Sequence, residues 1–365
     1  MNYYIEMYEW NSELKQTARV KARDDIDEIL KSLNYKPLRI PTYREEINIS
    51  ISQRLINLNK TRHDWGEAIG VLNKGDVLFV QYPLNERYLF FPNIIKKLQK
   101  RGVKVIALIH DLEILRRNAN PKYSGWKKAL IVRDERDTLK NCLVVISHNK
   151  KMSEALCKIG LDKKCIVELG IFDYLTEEDT VKSESDDGVI IAGNLIPEKA
   201  GYVYKLPDSP KFNLYGPNYE LLVNQRNVHY FGAYNPEELP GKIRGAFGLV
   251  WDGESDKTCE GYFGNYLKYN NPHKVSLYLA SGIPIIIWKD AALADFVSDN
   301  GLGLTISSLD EIDSLTKSIS NDEYKQMLEN VARMSAQLRN GYFTKRALNL
   351  ACGTPEAPRT PGTAC

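Results

Sequence analysis

The residues best suited to chemistry lie in one stretch, Asn270-Asn271-Pro272-His273-Lys274-Val275-Ser276 and on through Leu277–Ile287, which reads as a helix followed directly by a buried strand. Asn271 is placed to cap the helix, with Pro272 at its first position, where a missing N–H costs nothing. Gly282 ends it, and Ile283–Ile287 is the β-branched run of a parallel strand. At the front end, free backbone N–H groups, the positive end of the helix dipole, Lys274, His273 and the Ser276 hydroxyl point to one anion site, which a diphosphate would fit. The plain alternative is an ordinary capped helix carrying a solvated lysine. A second set of polar or glycine residues falls where apolar strand patterns end: Asn11 and Ser12, Gln81 and Tyr82, His110 and Asp111, Ser147 and His148, then Gly193 and Asn194, Gly216, Gly232 and Asp252. Open parallel sheets bind ligands beyond the carboxyl ends of their strands, so these positions are where such a sheet presents chemistry. Each alone is an ordinary turn residue; the set carries the signal.

Positioning those residues takes two series of alternating strands and helices. The first has strand patterns at Met1–Tyr8, Pro37–Ile40, Val77–Gln81, Val103–Ile109, Leu143–Ile146 and Cys165–Leu169, with helical patterns between them. An acidic, turn-rich stretch around 175–187 reads as a linker. The second series has strands at Val189–Asn194, Phe212–Tyr215, Val228–Phe231, Phe247–Trp251, Ile283–Ile287 and Leu302–Ile306, then helices at Asp322–Leu338 and Tyr342–Leu350. The expected class is α/β, two Rossmann-like parallel-sheet domains facing a cleft. The expected divisions are 1–175, a linker at 176–187, 188–340, a last helix at 341–352, and a 353–365 tail too rich in Pro, Gly and Thr to build a core.

Composition narrows the function classes. Lys+Arg is 49 against Asp+Glu 47, a balance that argues against a general nucleic-acid binder. No apolar run approaches the ~18 residues of a membrane span. Met1–Trp10 lacks the basic start and apolar core of a signal peptide, so a cytoplasmic protein is expected. The six cysteines form no CxxC pair and have no close histidine, so neither zinc nor a disulfide framework is indicated. The D-x-D at Asp25-Ile26-Asp27 falls in a helical pattern, where positions two apart do not share a face. Asp252-Gly253-Glu254-Ser255-Asp256 lacks calcium-loop spacing, and no metal is expected to be required. The basic run Lys96-Lys97-Leu98-Gln99-Lys100-Arg101 reads first as a solvated helix face.

The stretch Ala192–Gly201 resembles the G-x-L-x-x-x-K-G turn of glycosyltransferases with the two-domain GT-B fold, where the lysine contacts the nucleotide-sugar diphosphate. A glycine turn lets backbone approach the phosphates and the cation neutralises them. Asn194 stands where many of those enzymes have arginine, and Ala200 separates Lys199 from Gly201. The glutamate pair of many retaining members is missing; Tyr269 and Leu277 stand near those places, which makes Tyr269 a donor-site candidate. A closer resemblance, up to about residue 350, is to bacterial β-1,6-galactofuranosyltransferases of O-antigen assembly. It is carried by Leu108-Ile109-His110-Asp111, Val145–Asn149, Ile171–Leu175, Ala192–Leu195, Gly248–Gly253, Tyr266–Lys274 and Ala291–Phe296. A more distant one is to the glucosyltransferases that extend GlcNAc on serine-rich streptococcal adhesins.

The resemblance implies an inverting, metal-independent transfer of galactofuranose from UDP-galactofuranose to a lipid-pyrophosphate-linked glycan acceptor in surface-polysaccharide assembly. Lys274 and Lys199 would be the diphosphate cations, with Gly193, Asn194, Ser276 and His273 adding contacts. Gly232, beside Tyr230 and Phe231, would lie against uracil, unless those aromatics are core. Asp252 would hold donor hydroxyls. Inversion needs one base on the acceptor side. Asp111 fits best, with Glu113 and His110 the other catalytic candidates. Asn11, Ser12 and His148 would meet the acceptor, although a histidine buried against a carbonyl is the ordinary alternative for His110 and His148. A weak contact with an anionic membrane and a homo-oligomer fit this reading. The competing readings are a glucosyl- or other hexosyltransferase acting on a glycoprotein or capsule repeat, and a catalytically silent nucleotide-sugar-binding partner subunit.

Overall fold

A computed structural model of the chain describes residues 1–9, 18–42, 50–84, 90–117, 126–180, 187–220 and 226–353. Among these residues twelve strands form two sheets. The first contains β1 (Asn2–Glu9), β2 (Lys36–Thr42), β3 (Val77–Tyr82), β4 (Lys104–Ile109), β5 (Val144–Ser147) and β6 (Ile166–Glu168). The second contains β7 (Val189–Ala192), β8 (Phe212–Tyr215), β9 (Val228–Tyr230), β10 (Phe247–Val250), β11 (Ile285–Trp288) and β12 (Gly303–Ile306). All their pairings are parallel. The central strands Val144–Ser147, Val189–Ala192, Phe247–Val250 and Ile285–Trp288 are buried at every residue, as helices on both faces of a sheet require.

The first sheet runs β2-β1-β3-β4-β5-β6 and the second β12-β11-β10-β7-β8-β9. Counted from its own first strand, the second is the 3-2-1-4-5-6 order of dinucleotide-binding domains, whereas the first follows the flavodoxin-like 2-1-3-4-5 order with one more edge strand. Both halves are parallel Rossmann-like sheets, as expected, and the second alone has the dinucleotide-binding strand order. Strand order reverses between β7 and β10 there, and the crevice at that point is where such sheets take ligands. Lys199 follows β7, and Asp252 follows β10.

The halves are stitched together through Leu169–Tyr174. Leu169, Ile171, Phe172 and Tyr174 belong to one apolar cluster that also holds Phe79, Ile106 and Leu108 of the first sheet and Ile190, Leu249 and Val275 of the second half. The last helix, Tyr342–Gly353, turns back onto the first half. Its Phe343 and Thr344 N–H groups donate to the Asp173 carboxylate at 3.1 and 2.7 Å, and Arg346 donates to the Leu169 carbonyl at 2.6 Å. Lys21, paired with Asp25 at 2.6 Å, donates to the Leu175 carbonyl from the first helix, Ala18–Ser32.

Candidate active site

One wall of the cleft comes from the second sheet. Gly193 and Gly216 cross so closely that a Cβ on Gly216 would lie 1.8 Å from the Gly193 carbonyl oxygen. Any larger residue at Gly216 would push β7 and β8 apart. After Gly193 the chain turns on Asn194, whose exposed side chain accepts from the Ile196 N–H at 3.2 Å and from Asn218 at 2.8 Å. Asn194 thus shapes its own turn. The short helix Pro197–Ala200 then carries Lys199 to the crevice, and the Lys199 carbonyl accepts from Gly253 N–H at 2.7 Å, tying this turn to the loop after β10. Among the described residues the Lys199 ammonium has no carboxylate or hydrogen-bond partner; it faces the Phe263 ring at 5.9 Å. Burial pushes its pKa below 10.5. Asp252 and Asp111 oppose that shift, while Lys274 and Arg116 add to it. Lys199 therefore senses charged groups on both walls.

The helix after that loop begins one residue later than its cap pattern suggests, at His273–Ala280, with Pro272 in the N-cap place. Asn271 does not cap it. Its side chain donates to the carbonyls of His148 and Gly170, each at 2.9 Å, and accepts from Asn149 at 2.7 Å, so Asn271 joins the two halves. Nor is Lys274 a bare cation. Its Nζ donates to the Trp251 carbonyl at 3.0 Å and to Asp252 at 2.8 Å, in a largely buried pair. An ammonium has three N–H donors, so one remains for a ligand. Asp252 is correspondingly held through Oδ1 as the counter-charge of Lys274.

Ser276 donates to the Phe172 carbonyl at 2.7 Å in the buried seam between halves, which removes its hydroxyl from the anion point. The His273 ring stacks on Tyr174 at 5.0 Å, and burial pushes its pKa down to about 4, so it is neutral, with both ring nitrogens buried and without a hydrogen-bond partner among the described residues. Tyr269 packs against the first-half core, and its carbonyl accepts from Asn149 at 2.9 Å. Gly232, at φ 83°, has open space where a side chain would stand. Beside it Tyr230 and Phe231 are 37% and 47% exposed, so these aromatics are surface rather than core. Phe231 stacks on Tyr215 with ring centres 5.0 Å apart.

The facing wall is built at the end of β4. His110 Nε2 lies 2.6 Å from Gln81 Oε1, and its ring stacks on Phe172 at 5.3 Å. Gln81 Nε2 donates to Asp27 at 2.7 Å and to the Arg23 carbonyl at 3.1 Å, so the amide presents its oxygen to His110 and Nε2 there is the donor. Asp111 Oδ1 is 2.7 Å from the Arg116 guanidinium, and Glu113 lies 3.4 Å from Arg116. Both N–H groups that open the helix Glu113–Arg117 donate to the buried Glu135 carboxylate, at 2.9 and 2.8 Å. Arg116 lies 4.7 Å from the Tyr266 ring and 5.8 Å from the Tyr262 ring, and both tyrosines belong to the loop after β10.

His148 takes no part in this wall. It is 1% exposed, donates from Nε2 to the Ile109 carbonyl at 2.9 Å, and accepts the Asn271 N–H on Nδ1 at 2.9 Å. Burial pushes its pKa down to about 4. With both nitrogens committed it is a neutral bolt between halves, not an acceptor ligand. Asn11 and Ser12 lie outside the described residues. Sequence reasoning missed Arg116, Tyr262 and Tyr266. The spacing of Arg116 three residues after Glu113, and of the tyrosines four apart, was the available signal. Among the described residues no group of three or more His, Cys, Asp or Glu side chains is arranged to hold a metal ion. No helix among them is long and apolar enough to cross a membrane.

Models of the N- and C-terminal domains of glucosyltransferase 3-like proteins match residues 2–171 and 189–351. The chain is 36% identical over 340 residues to the β-1,6-galactofuranosyltransferase WbbI of Escherichia coli K12, covering 92% of this chain and 94% of that one. It belongs to the glucosyltransferase 3-like family. The closer and the more distant resemblances in the sequence both lead there, since Glucosyltransferase 3 of Streptococcus parasanguinis is 26% identical over 353 residues, 95% of this chain and 97% of that one. Among solved structures, this glycosyltransferase shares its fold with the lipopolysaccharide outer core galactosyltransferase WaaB, at TM-score 0.57 and 10% identity over 95% of this chain and 99% of that one. Sucrose-phosphate synthase from Thermosynechococcus elongatus gives 0.57 and 11% over 96% and 97%. The fold is GT-B, as expected.

Proposed function

We propose that this glycosyltransferase transfers galactofuranose from UDP-galactofuranose to a sugar acceptor, with inversion, during surface-polysaccharide assembly. The observation that carries the chemistry is Lys199, a partly buried cation without a partner among the described residues, at the switch point of the second sheet and within electrostatic reach of Asp111 on the other wall. The donor sugar is proposed from the 36% identity to WbbI, which spans both halves.

In this reading Lys199, the remaining donor of Lys274 and the start of the His273–Ala280 helix hold the diphosphate. Uracil lies beside Gly232 on the exposed face of Phe231. Asp111 takes the proton from the acceptor hydroxyl as that oxygen bonds to the anomeric carbon; the bond to the diphosphate breaks, and UDP leaves with the electron pair. Fixed cations aimed at the leaving oxygens supply the stabilisation that a metal ion gives elsewhere. The acceptor is taken to be lipid-pyrophosphate-linked, with exposed Lys96, Lys97 and Lys100 meeting an anionic membrane surface.

A second reading, glucosyl transfer, is favoured by the names of the two matching domain models and of the streptococcal relatives. UDP release measured with UDP-galactofuranose, UDP-galactopyranose, UDP-glucose and UDP-GlcNAc, in EDTA and with simple glycoside acceptors, separates them. Acceptor-dependent release from UDP-galactofuranose alone supports the proposal. Release from UDP-glucose alone moves the protein to the second reading. Silence with every donor while UDP binds points to a partner subunit.

A further inference from the structure

We propose that Arg116 is a positioning residue for the reaction, orienting the Asp111 carboxylate, and that Tyr262 and Tyr266 of the opposite domain set Arg116. The inference rests on the reading of Asp111 as the base. An arginine carries about 2 kcal/mol of rotamer entropy, and the five-residue helix Glu113–Arg117 offers little to fix it. Asp111 and Glu113 hold it from its own half, and the other half of the molecule supplies the rest. Two tyrosine rings flank the guanidinium, at 4.7 and 5.8 Å. Among the described residues the buried Arg116 Nε has no hydrogen-bond partner, so ring faces and carboxylates hold the group rather than a full set of hydrogen bonds.

Tyr266 is anchored in turn. It is 3% exposed, packs within the first-half apolar cluster, and accepts the Leu112 N–H on its hydroxyl at 2.8 Å across 154 residues of sequence. The Tyr262 hydroxyl lies 3.4 Å from Glu113. With Oδ1 of Asp111 held by Arg116 at 2.7 Å, Oδ2, which has no partner among the described residues, is the oxygen that receives the acceptor proton. The donor-side domain therefore does more than hold the nucleotide: its loop after β10 sets the geometry of the base.

A double-mutant cycle tests this. Arg116→Met, Asp111→Asn and the double variant are assayed for kcat, donor KM and UDP affinity, with UDP affinity also serving as the folding control. General-base catalysis contributes on the order of 10²- to 10⁴-fold, and an untethered base keeps part of that. Arg116→Met is expected to lower kcat by roughly 10- to 100-fold with donor KM and UDP affinity within about twofold, and the double variant to be no slower than Asp111→Asn within about threefold. Arg116→Lys restores part of the loss by keeping the charge, and Tyr262→Leu combined with Tyr266→Leu reproduces the kcat loss. An Arg116→Met effect that multiplies fully onto Asp111→Asn, or that falls on donor KM, overturns the positioning role while leaving the base reading intact. Full turnover in Asp111→Asn overturns the base reading itself, and the positioning role with it.

Discussion

Lys199 and Lys274 look alike in the sequence, but the structure predicts opposite consequences for losing them. Lys199→Met removes a cation that has no carboxylate partner among the described residues. The aliphatic stem is largely kept, and what is lost is a desolvated charge 5.9 Å from the Phe263 ring, so the melting temperature should barely move. The loss falls on the donor: a charge-assisted hydrogen bond to a diphosphate is worth about 1.5–3 kcal/mol, or roughly 10- to 150-fold in UDP affinity. Lys274→Met is different, because its ammonium and the Asp252 carboxylate are only 11% and 9% exposed and 2.8 Å apart. Removing one partner of such a pair leaves a buried charge and costs about 3–5 kcal/mol of stability. The stranded Asp252 also repels the diphosphate, so affinity falls too. Adding Asp252→Leu to Lys274→Met takes away the stranded charge; stability should recover most of the loss, while UDP affinity should stay well below that of the parent. Thermal unfolding and titration calorimetry with UDP read both quantities on the same samples. If Lys199→Met binds UDP as tightly as the parent, or if Lys274→Met loses affinity with no loss of stability, the division of roles is wrong.

Three further outcomes follow from the buried titratable groups. UDP should bind with proton uptake at alkaline pH and weaken as pH rises through the lowered Lys199 pKa, because an incoming anion favours the charged lysine; calorimetry in buffers of different ionisation enthalpy should show no such uptake in Lys199→Met. His148 is held at about 4 against an ordinary 6.5, so the unfolded chain binds its proton first. Its contribution is full above about pH 6.5 and lost towards pH 4, roughly 3 kcal/mol in all, and His148→Gln should flatten that acid limb of the melting curve. Asp27 runs the other way: burial first, opposed by its bond from Gln81, lifts it to about 7, so its contribution is full below about pH 4 and lost as pH rises to 7. Asp27→Asn should therefore gain stability relative to the parent between pH 5 and 8 in thermal melts; a difference independent of pH would refute it.

The sequence made the architecture legible because continuous β-branched runs such as Val189–Ile191 and Ile285–Ile287 are buried on both faces, and helices must alternate with such strands. Strand order was less legible, since register between strands depends on contacts far apart in the chain; the flavodoxin-like order of the first sheet emerged only from the pairing. At the site, residue type gave location but not employment. Asp111 stands at the strand end that suggested it, and Lys199 on the turn after Gly193 that the resemblance pointed to. Ser276, His148 and Asn271 carry the expected polar groups, yet each spends one across the domain seam: Ser276 on the Phe172 carbonyl, His148 on the Asn271 N–H, and Asn271 on the Gly170 carbonyl. A single half cannot reveal a partner that the other half supplies, and the same holds for Arg116, whose tyrosine flanks lie about 150 residues away in sequence.

The most direct test of one base facing an α-linked donor across this cleft is the anomeric configuration of the first product, read by NMR before secondary hydrolysis. A β-linked product from the α-linked UDP-sugar is predicted. An α-linked product would contradict a single-displacement reaction with Asp111 as its base.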